Sequence, residues 1–577
     1  MKKEDSFLKE NKRTEMIIKG MAALLFPLIL CVVYCAIQGK TIGDVFLPAG
    51  EWNDELFYFK QVEGMVKFGF PRGYFGFNES HAELMSFAAW SPVLVFPWVI
   101  WGLIFGWSFM SPVICNIVLM CLVTCAFVLI TKISYRQMVL LGAGMIFFVP
   151  FDRYMLSGMP EIICFSMVIL FTAIAYDCLI NEKTAKIVIL FVMASVMTLM
   201  RPYLLLFMFL PAYILIRKRK VLGGIITAVS FIVTLGLYAV IKKYFGAEYF
   251  TPLFSMNWLT DFIDYGPRQG FVNLCYRIFE MSKGFISHSK QGITDGLASG
   301  AFFVTFSVMM VVFAVQFVID LVKIIERSKK KDSGNKAACK EADEETNSEK
   351  IIGTPQTVLY VNGNGETSPK AFTDMNKTRK EKKQYAIFVL EAHYVFAMFG
   401  MLAALLLMYK LTEGSKHLLT FIAAGVFVLA LLNNKTYIKN IVIVLCFVYF
   451  FMIKANSAYD YQVPFADEAV TSKTIEWESA FSEDISVGKK LGFDNVVIWN
   501  LYDKKDGKVE FMKWQRLYAL PKGCGISCCN AEYVKDNLDS LKSKYIATLT
   551  DGEIDGLLKE KYELLYSDEE VTLYRLR

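Results

Sequence analysis

Eleven apolar runs of roughly 15–24 residues recur along this chain, each long enough to span or nearly span the ~30 Å hydrocarbon core of a bilayer. They lie at 16–37, 111–131, 137–151, 161–180, 186–200, 202–216, 222–242, 300–322, 385–409, 418–433 and 437–453. They account for a composition that is 55% hydrophobic and only 20% charged over 577 residues. Soluble domains average about 45–50% and 25%. A mean hydropathy of +0.40 says the same. The chain reads as an α-helical polytopic membrane protein. A purely soluble enzyme, a disordered regulator and a nucleic-acid-binding domain are excluded. Its 13 cysteines fall mostly inside apolar runs, where they act as small hydrophobes rather than a disulfide framework.

Charge sets the expected topology. Residues 1–15 are charged, and no small-residue cleavage pattern follows the run 16–37, so it is a retained first span with a cytoplasmic N-terminus. The first outer loop, 38–110, opens with acidic residues. Basic loops at 132–136, 181–186, 217–220, 323–383 and 433–439 then alternate with loops lacking that bias at 151–160, 201, 243–299 and 410–417. The positive-inside rule requires such alternation. The apolar stretch 90–107 breaks the pattern, since counting it as a span would put Arg217-Lys218-Arg219-Lys220 outside. It holds Pro92, Pro97 and four tryptophans, so an interfacial or re-entrant helix is expected. About eleven transmembrane helices result, with the C-terminus outside.

The predicted organisation is a transmembrane module at 16–322, a charged and disordered cytoplasmic linker at 323–383, the last three transmembrane helices at 384–454, and a small extracytoplasmic α/β domain at 455–577. In that domain 494–499 and 544–549 read as buried strands, 531–541 and 552–562 as helices, and 563–567 with 571–576 as a terminal hairpin. Cys524, Cys528 and Cys529 lack the second ligand pair of a zinc site and read as a disulfide or free thiols. No internal repeat supports an inverted-repeat transporter.

The candidate chemistry gathers at outer boundaries. Trp52-Asn53-Asp54-Glu55-Leu56-Phe57-Tyr58 sets two adjacent carboxylates among aromatics. Adjacent side chains point in different directions, so one can face a site while the other is structural. A partly desolvated carboxylate gains proton affinity and can serve as a general base. Equally, Asp54 can cap a helix beginning at Glu55. Asp152, Arg153 and Glu161 form a second cluster, in which Asp152 or Glu161 could ligate a divalent ion or hold a sugar hydroxyl, or simply compensate a helix N-terminus. Arg201 is either a snorkelling cation or a phosphate clamp. Lys416 and His417 run against the positive-inside trend, which makes them candidates for an anionic lipid head group. No phosphate-binding loop, zinc-protease spacing or G-x-S-x-G motif occurs.

Together these residues resemble the GT-C superfamily of integral-membrane glycosyltransferases, in the branch with bacterial protein-mannosyltransferase-like and aminoarabinose-transferase-like enzymes. Asn53-Asp54-Glu55-Leu56-Phe57-Tyr58 looks like that family's opening acidic motif, and Ala88-Ala89-Trp90-Ser91-Pro92 like the entry to its interfacial helix. Ser157–Glu161 falls where its second acidic residue sits, and Gly414-Ser415-Lys416-His417-Leu418 looks like its late outer motif, with Lys-His replacing the usual Arg-Tyr. The 323–383 insert is a second departure. The resemblance implies a polyprenyl-phosphate sugar donor, a glycan, lipid or protein acceptor, and inverting transfer on the outer face of a bacterial cytoplasmic membrane. It implies Asp54 as general base, and Arg201 with Lys416 or His417 on the leaving phosphate. Glu55, Tyr58, Asp152, Arg153 and Glu161 would bind or orient substrate, and the loop 243–299 would cover the site. Membrane lipids are expected partners and nucleic acid is not. No cofactor is expected, and of the family's metal-dependent and metal-independent branches the second is favoured. The alternatives are a lipid-linked glycan translocator and an outer-face polysaccharide polymerase or ligase.

Overall fold

Hydrocarbon offers no water to backbone N–H and C=O groups, so a spanning segment closes its hydrogen bonds internally as a helix. The computed structural model of this chain describes residues 2–50, 52–69, 75–79, 91–246, 257–296, 298–345, 379–408, 411–432, 446, 462–467, 473–474, 476–477, 479–480, 496–520 and 524–576. Its first helices are α1 (Lys2–Ile37), α2 (Asn53–Phe68), α3 (Phe96–Phe105), α4 (Ser111–Thr131) and α5 (Tyr135–Phe147). They are followed by α6 (Pro150–Met155), α7 (Glu161–Asn181), α8 (Thr184–Met200) and α9 (Phe209–Phe245). Then come α10 (Asn257–Asp264), α11 (Gly266–Thr294), α12 (Ala298–Glu345), α13 (Arg379–Met408) and α14 (Leu411–Leu431).

Among the described residues six helical stretches are long and apolar enough to cross a membrane: Arg13–Ile37, Ser111–Thr131, Glu161–Asn181, Pro202–Phe245, Ala298–Glu326 and Glu381–Met408. Shorter apolar helices lie at Pro92–Phe105, Thr184–Met200 and Ser415–Leu431. The expected span 437–453 lies outside the described residues apart from Cys446.

Several expectations change in detail. The run 137–151 is not one helix: α5 stops at Phe147 and α6 starts at Pro150, whose ring and missing N–H end a preceding helix. The stretch 202–245 is not one straight rod. Lys220 has φ 38° and ψ −112°, and the rings of Phe209 and Phe231 lie 5.2 Å apart. A straight helix would separate two such residues by about 33 Å. The chain therefore doubles back at the basic Arg217–Lys220 turn, and a Cβ on Gly223 would meet Leu215 O at 2.6 Å. α12 carries helix on to Glu345, into the segment whose charge suggests disorder. Lysine, glutamate and alanine there have good helix propensity. Residues 346–378 lie outside the described ones. Much of 243–299 is helical too, as α10 and α11, with Phe285 of α11 packed 4.6 Å from Phe303 of α12.

The stretch 90–107 forms a 3-10 turn (Pro92–Val95) running into α3. At about 20 Å it is short for a crossing. Two of its tryptophans are buried in protein rather than left at an interface. Trp98 donates to Asn116 Oδ1 at 2.9 Å, and Trp107 donates to the Phe59 carbonyl at 3.0 Å.

The C-terminal region is an α/β unit. Strands β2 (Val496–Asn500), β5 (Gly525–Cys529), β6 (Tyr545–Leu549), β7 (Glu563–Ser567) and β8 (Val571–Arg575) form one sheet with helices α15 (Ala531–Asn537) and α16 (Glu553–Lys559). A separate hairpin pairs β3 (Tyr502–Lys505) with β4 (Lys508–Phe511). Burial of β2, β5 and β6 along their whole length explains their continuous apolar runs. On one face Ile498, Ile546 and Tyr574 pack with Val534, Ile554 and Leu558 of the two helices. The three domain cysteines are buried free thiols. Burial raises the Cys528 thiol and pushes Cys529 up to about 12. An aqueous maleimide should therefore leave Cys524, Cys528 and Cys529 unmodified in the native protein and label them after SDS unfolding, as mass spectrometry would show.

One strand was not expected. β1 (Phe75–Phe77) comes from the first outer loop and pairs in parallel with β5, at the edge of the order β1-β5-β2-β6-β8-β7. Glu79 follows it, and its carboxylate accepts from the backbone N–H of Lys542 at 2.9 Å and of Ser543 at 2.7 Å. A shared sheet puts the first loop and the C-terminal domain on the same side of the membrane. Glu79→Ala should cost about 2 to 3 kcal/mol of this docking, read as faster limited proteolysis of the C-terminal domain in folded protein.

Candidate active site

Four helix corners meet at the end of the bundle facing the C-terminal domain. The first turn of α2 supplies Asp54 and Glu55, and the next turn Tyr58. The α6–α7 corner supplies Asp152, Arg153 and Glu161. Arg201 ends α8, and Lys416 and His417 lie in the N-terminal part of α14. α2 begins at Asn53 after Trp52, so Asp54 lies inside the first turn and does not cap it. Carboxylates in a first turn are favoured by the helix dipole.

The adjacent carboxylates part company. Asp54 is 38% exposed and ion-pairs with Lys416, which is 28% exposed. Glu55 is fully buried. It accepts from the Gly158 N–H at 3.2 Å, and Arg153 Nη1 lies 3.5 Å from it. A Cβ on Gly158 would sit 3.2 Å from Glu55 Cβ, so glycine is what lets the two chains close here. Arg153 in turn stacks on Trp52, 3.7 Å from the ring centroid. Burial raises the Glu55 carboxyl above its ordinary value, with the Arg153 charge and the Gly158 N–H opposing it. Asp152 is also buried, close enough for its charge to act on Tyr34 and Cys35 at the end of α1.

Beneath the Asp54–Lys416 pair lies a buried network. Arg201 and Glu161 are both fully buried and meet at 2.6 Å. The other guanidinium arm of Arg201 donates to His417 Nδ1 at 2.6 Å and to Tyr203 OH at 3.2 Å. An arginine can only donate, so His417 Nδ1 is the acceptor and any ring proton sits on Nε2. Lys416 is close enough to feel Asp54, Glu161 and Arg201 together. Tyr58, one turn beyond Asp54 on the same face of α2, is close enough to act on Arg201. Thus Asp54, Tyr58, Glu161, Arg201, Lys416 and His417 form one assembly, with Asp54 and Lys416 at its exposed surface. Glu55 and Arg153 form a second, buried assembly beside it.

Sequence reasoning missed three members. Tyr203 bonds Arg201 and follows it by two residues, a signal available in Arg201-Pro202-Tyr203. Trp52 carries the Arg153 stack and stood in the opening motif. Tyr518 comes from the C-terminal domain, close enough to Glu55 to feel its charge, and nothing local marks it. Further along α2, the fully buried Lys60 donates to Glu63 at 3.1 Å and to the Leu520 carbonyl at 2.9 Å. The C-terminal domain therefore helps to fix the helix that carries Asp54.

Chemically, the exposed pair offers a proton acceptor beside a cation. Among the described residues no three His, Cys, Asp or Glu side chains gather as a metal site would need. Of the carboxylates, Glu55 turns to Arg153 and Glu161 to Arg201.

No family model matches the chain, and no curated protein matches its sequence. Among solved structures it is similar to the archaeal oligosaccharyltransferase AglB from Archaeoglobus fulgidus, in complex with an inhibitory peptide and a dolichol-phosphate. The match covers 93% of this chain and 70% of that one, at 10% identity and a TM-score of 0.38. A likeness at that level carries no argument, so the site stands on its own geometry. That geometry, with the apolar helices below it, is that of a multi-pass membrane protein bearing an α/β domain and a charged site at one end of its bundle.

Proposed function

We propose that this chain is a membrane glycosyltransferase that moves a sugar from a polyprenyl-phosphate-linked donor to an acceptor hydroxyl of a glycan, lipid or protein on the extracytoplasmic face of a bacterial cytoplasmic membrane. The observation that carries the reading is the half-exposed Asp54–Lys416 pair resting on the buried Arg201–Glu161–His417 network. Such transfer needs a base for the acceptor proton and a cation for the departing phosphate, close together at the membrane surface. With a hydroxyl acceptor, the oxygen attacks the anomeric carbon from the face opposite the phosphate. Its proton passes to the Asp54 carboxylate as the bond from the anomeric carbon to the phosphate oxygen breaks. The electron pair leaves with polyprenyl phosphate, and configuration inverts.

Lys416 has a double part in this reading. A donor phosphate competes with Asp54 for its ammonium group, so donor binding frees the carboxylate to take a proton. Arg201 is enclosed by Glu161, Tyr203 and His417, so it positions α14 and contributes positive potential from below rather than gripping phosphate directly. Glu55 and Arg153 hold the start of α2 as positioning residues. Tyr58, buried one turn along α2, supports the Arg201 network from below the exposed pair. The reaction as drawn uses no metal.

A translocator draws on one different observation: Glu391 and His393 are buried within α13, where ionisable groups within a span mark a path. One assay separates the two. Membranes holding the full chain are given radiolabelled sugars on polyprenyl phosphate. A transferase releases polyprenyl phosphate and labels an acceptor. Movement of labelled donor across sealed vesicles without release of polyprenyl phosphate would overturn the transferase reading.

A further inference from the structure

At the end of the bundle away from Asp54, three helix ends surround a cavity of about 290 Å³. The last residues of α4 contribute Ile130, Thr131 and Lys132, the end of α7 contributes Tyr176, Asp177, Ile180 and Asn181, and the start of α13 contributes Lys382 and Lys383. Its depth follows from α7. Glu161 opens that helix at the candidate active site, and Asp177 lies sixteen residues later, about 24 Å along the axis. With a hydrocarbon core of about 30 Å, the cavity lies at the opposite membrane–water interface.

Its charge is one-sided. Lys186 takes the Asp177 carboxylate. Among the described residues Lys132, Lys382 and Lys383 form no ion pair, so three lysines remain to a cavity whose one acid is already neutralised. Lys132 is held there by its backbone: it ends α4 with φ 54° and ψ 47°, its N–H closing onto the Val128 carbonyl. Lys382 and Lys383 lie near the start of the described part of α13. Ile130 and Ile180 make part of the wall apolar.

We propose that this cavity is a binding site for the phosphate of an anionic membrane lipid, with the three lysines on the phosphate and the isoleucine wall against the start of the acyl chains. A basic pocket between helices at headgroup depth has this chemistry. A soluble phosphate would use the same lysines but gain nothing from the apolar wall or from the depth. The site is separate from the proposed transfer chemistry, and its failure would leave that reading untouched.

The test uses the purified full-length chain, delipidated in uncharged detergent and titrated by native mass spectrometry with phosphatidylglycerol, phosphatidylcholine or inorganic phosphate. Wild type should bind phosphatidylglycerol well ahead of phosphatidylcholine. The triple variant Lys132→Ala, Lys382→Ala, Lys383→Ala should bind phosphatidylglycerol about 100-fold more weakly, roughly fivefold per lysine. The corresponding triple Lys→Arg variant should keep the affinity. Should the alanine triple fail to fold, Lys132→Gln alone should lose about fivefold. Unchanged phosphatidylglycerol binding in the folded alanine variant, or in Lys132→Gln, would overturn the proposal. So would equal binding of phosphatidylcholine by wild type, or a site filled by inorganic phosphate that phosphatidylglycerol does not enter.

Discussion

Asp54→Asn should slow sugar transfer by about 10²- to 10⁴-fold, the usual contribution of a positioned general base, while the protein stays folded. The two parts of this expectation come from one fact, the 38% exposure of the carboxylate. An exposed ion pair is worth only about 0 to 1 kcal/mol, so losing its charge hardly affects the fold. The swap is nearly isosteric and removes the proton acceptor alone. The loss should fall on kcat, with donor KM unchanged or lowered, because Lys416 remains to meet the phosphate and no longer has Asp54 competing for it. Single-turnover release of polyprenyl phosphate from equally expressed wild type and variant gives the measurement. Equal rates would remove Asp54 from the chemistry and leave it as a first-turn charge on α2.

Arg201→Ala should do the reverse and lower stability by about 3 to 5 kcal/mol. Arg201 and Glu161 are both fully enclosed, 2.6 Å apart. Removing the arginine strands a carboxylate away from water, and such a stranded charge costs more than the pair itself contributes. His417 and Tyr203 lose their donor in the same step. The apparent melting temperature in detergent, followed by tryptophan fluorescence, should fall far more than for Asp54→Asn. The double variant Arg201→Met, Glu161→Leu should recover most of that stability without recovering transfer. A melting shift no larger than that of Asp54→Asn would show that the pair is not the buried support described here.

What the residues disclosed in advance follows from what is local. Asp54, Glu161, Arg201, Lys416 and His417 stood out because a charge at a span boundary is visible in a hydropathy pattern. Their pairings were not visible, since Lys416 meets Asp54 across 362 residues and His417 meets Arg201 across 216. Only packing decides which boundary charge faces which. Lys60 and Glu63 gave no signal either, because a lysine and a glutamate three apart normally mark a solvent face, and here both are buried. In the C-terminal domain the strands at 494–499 and 544–549 and the last hairpin were legible from β-rich apolar runs ended by turns, and they lie within a residue or two of β2, β6, β7 and β8. β1 was not, because Phe75-Gly76-Phe77 is too short to show a period and is a strand only through its partner.

That partner is made much later. β1 and α2 belong to the first eighty residues, but the backbone they lean on, at Ile526–Cys528 and Leu520, is some 450 to 460 positions downstream. During synthesis the stretch bearing Asp54 emerges early and waits through the membrane insertions that follow for residues 520–528 to reach it. Closing so long a loop is slow, and until it closes the edge of β1 and the lysine of α2 lie open to proteases and chaperones. A ribosome that stalls before residue 520 therefore leaves a protein inserted in the bilayer in which β1 has no sheet to join and Lys60 lacks the Leu520 carbonyl. Residues 520–528 thus secure, late in synthesis, a segment made at its beginning.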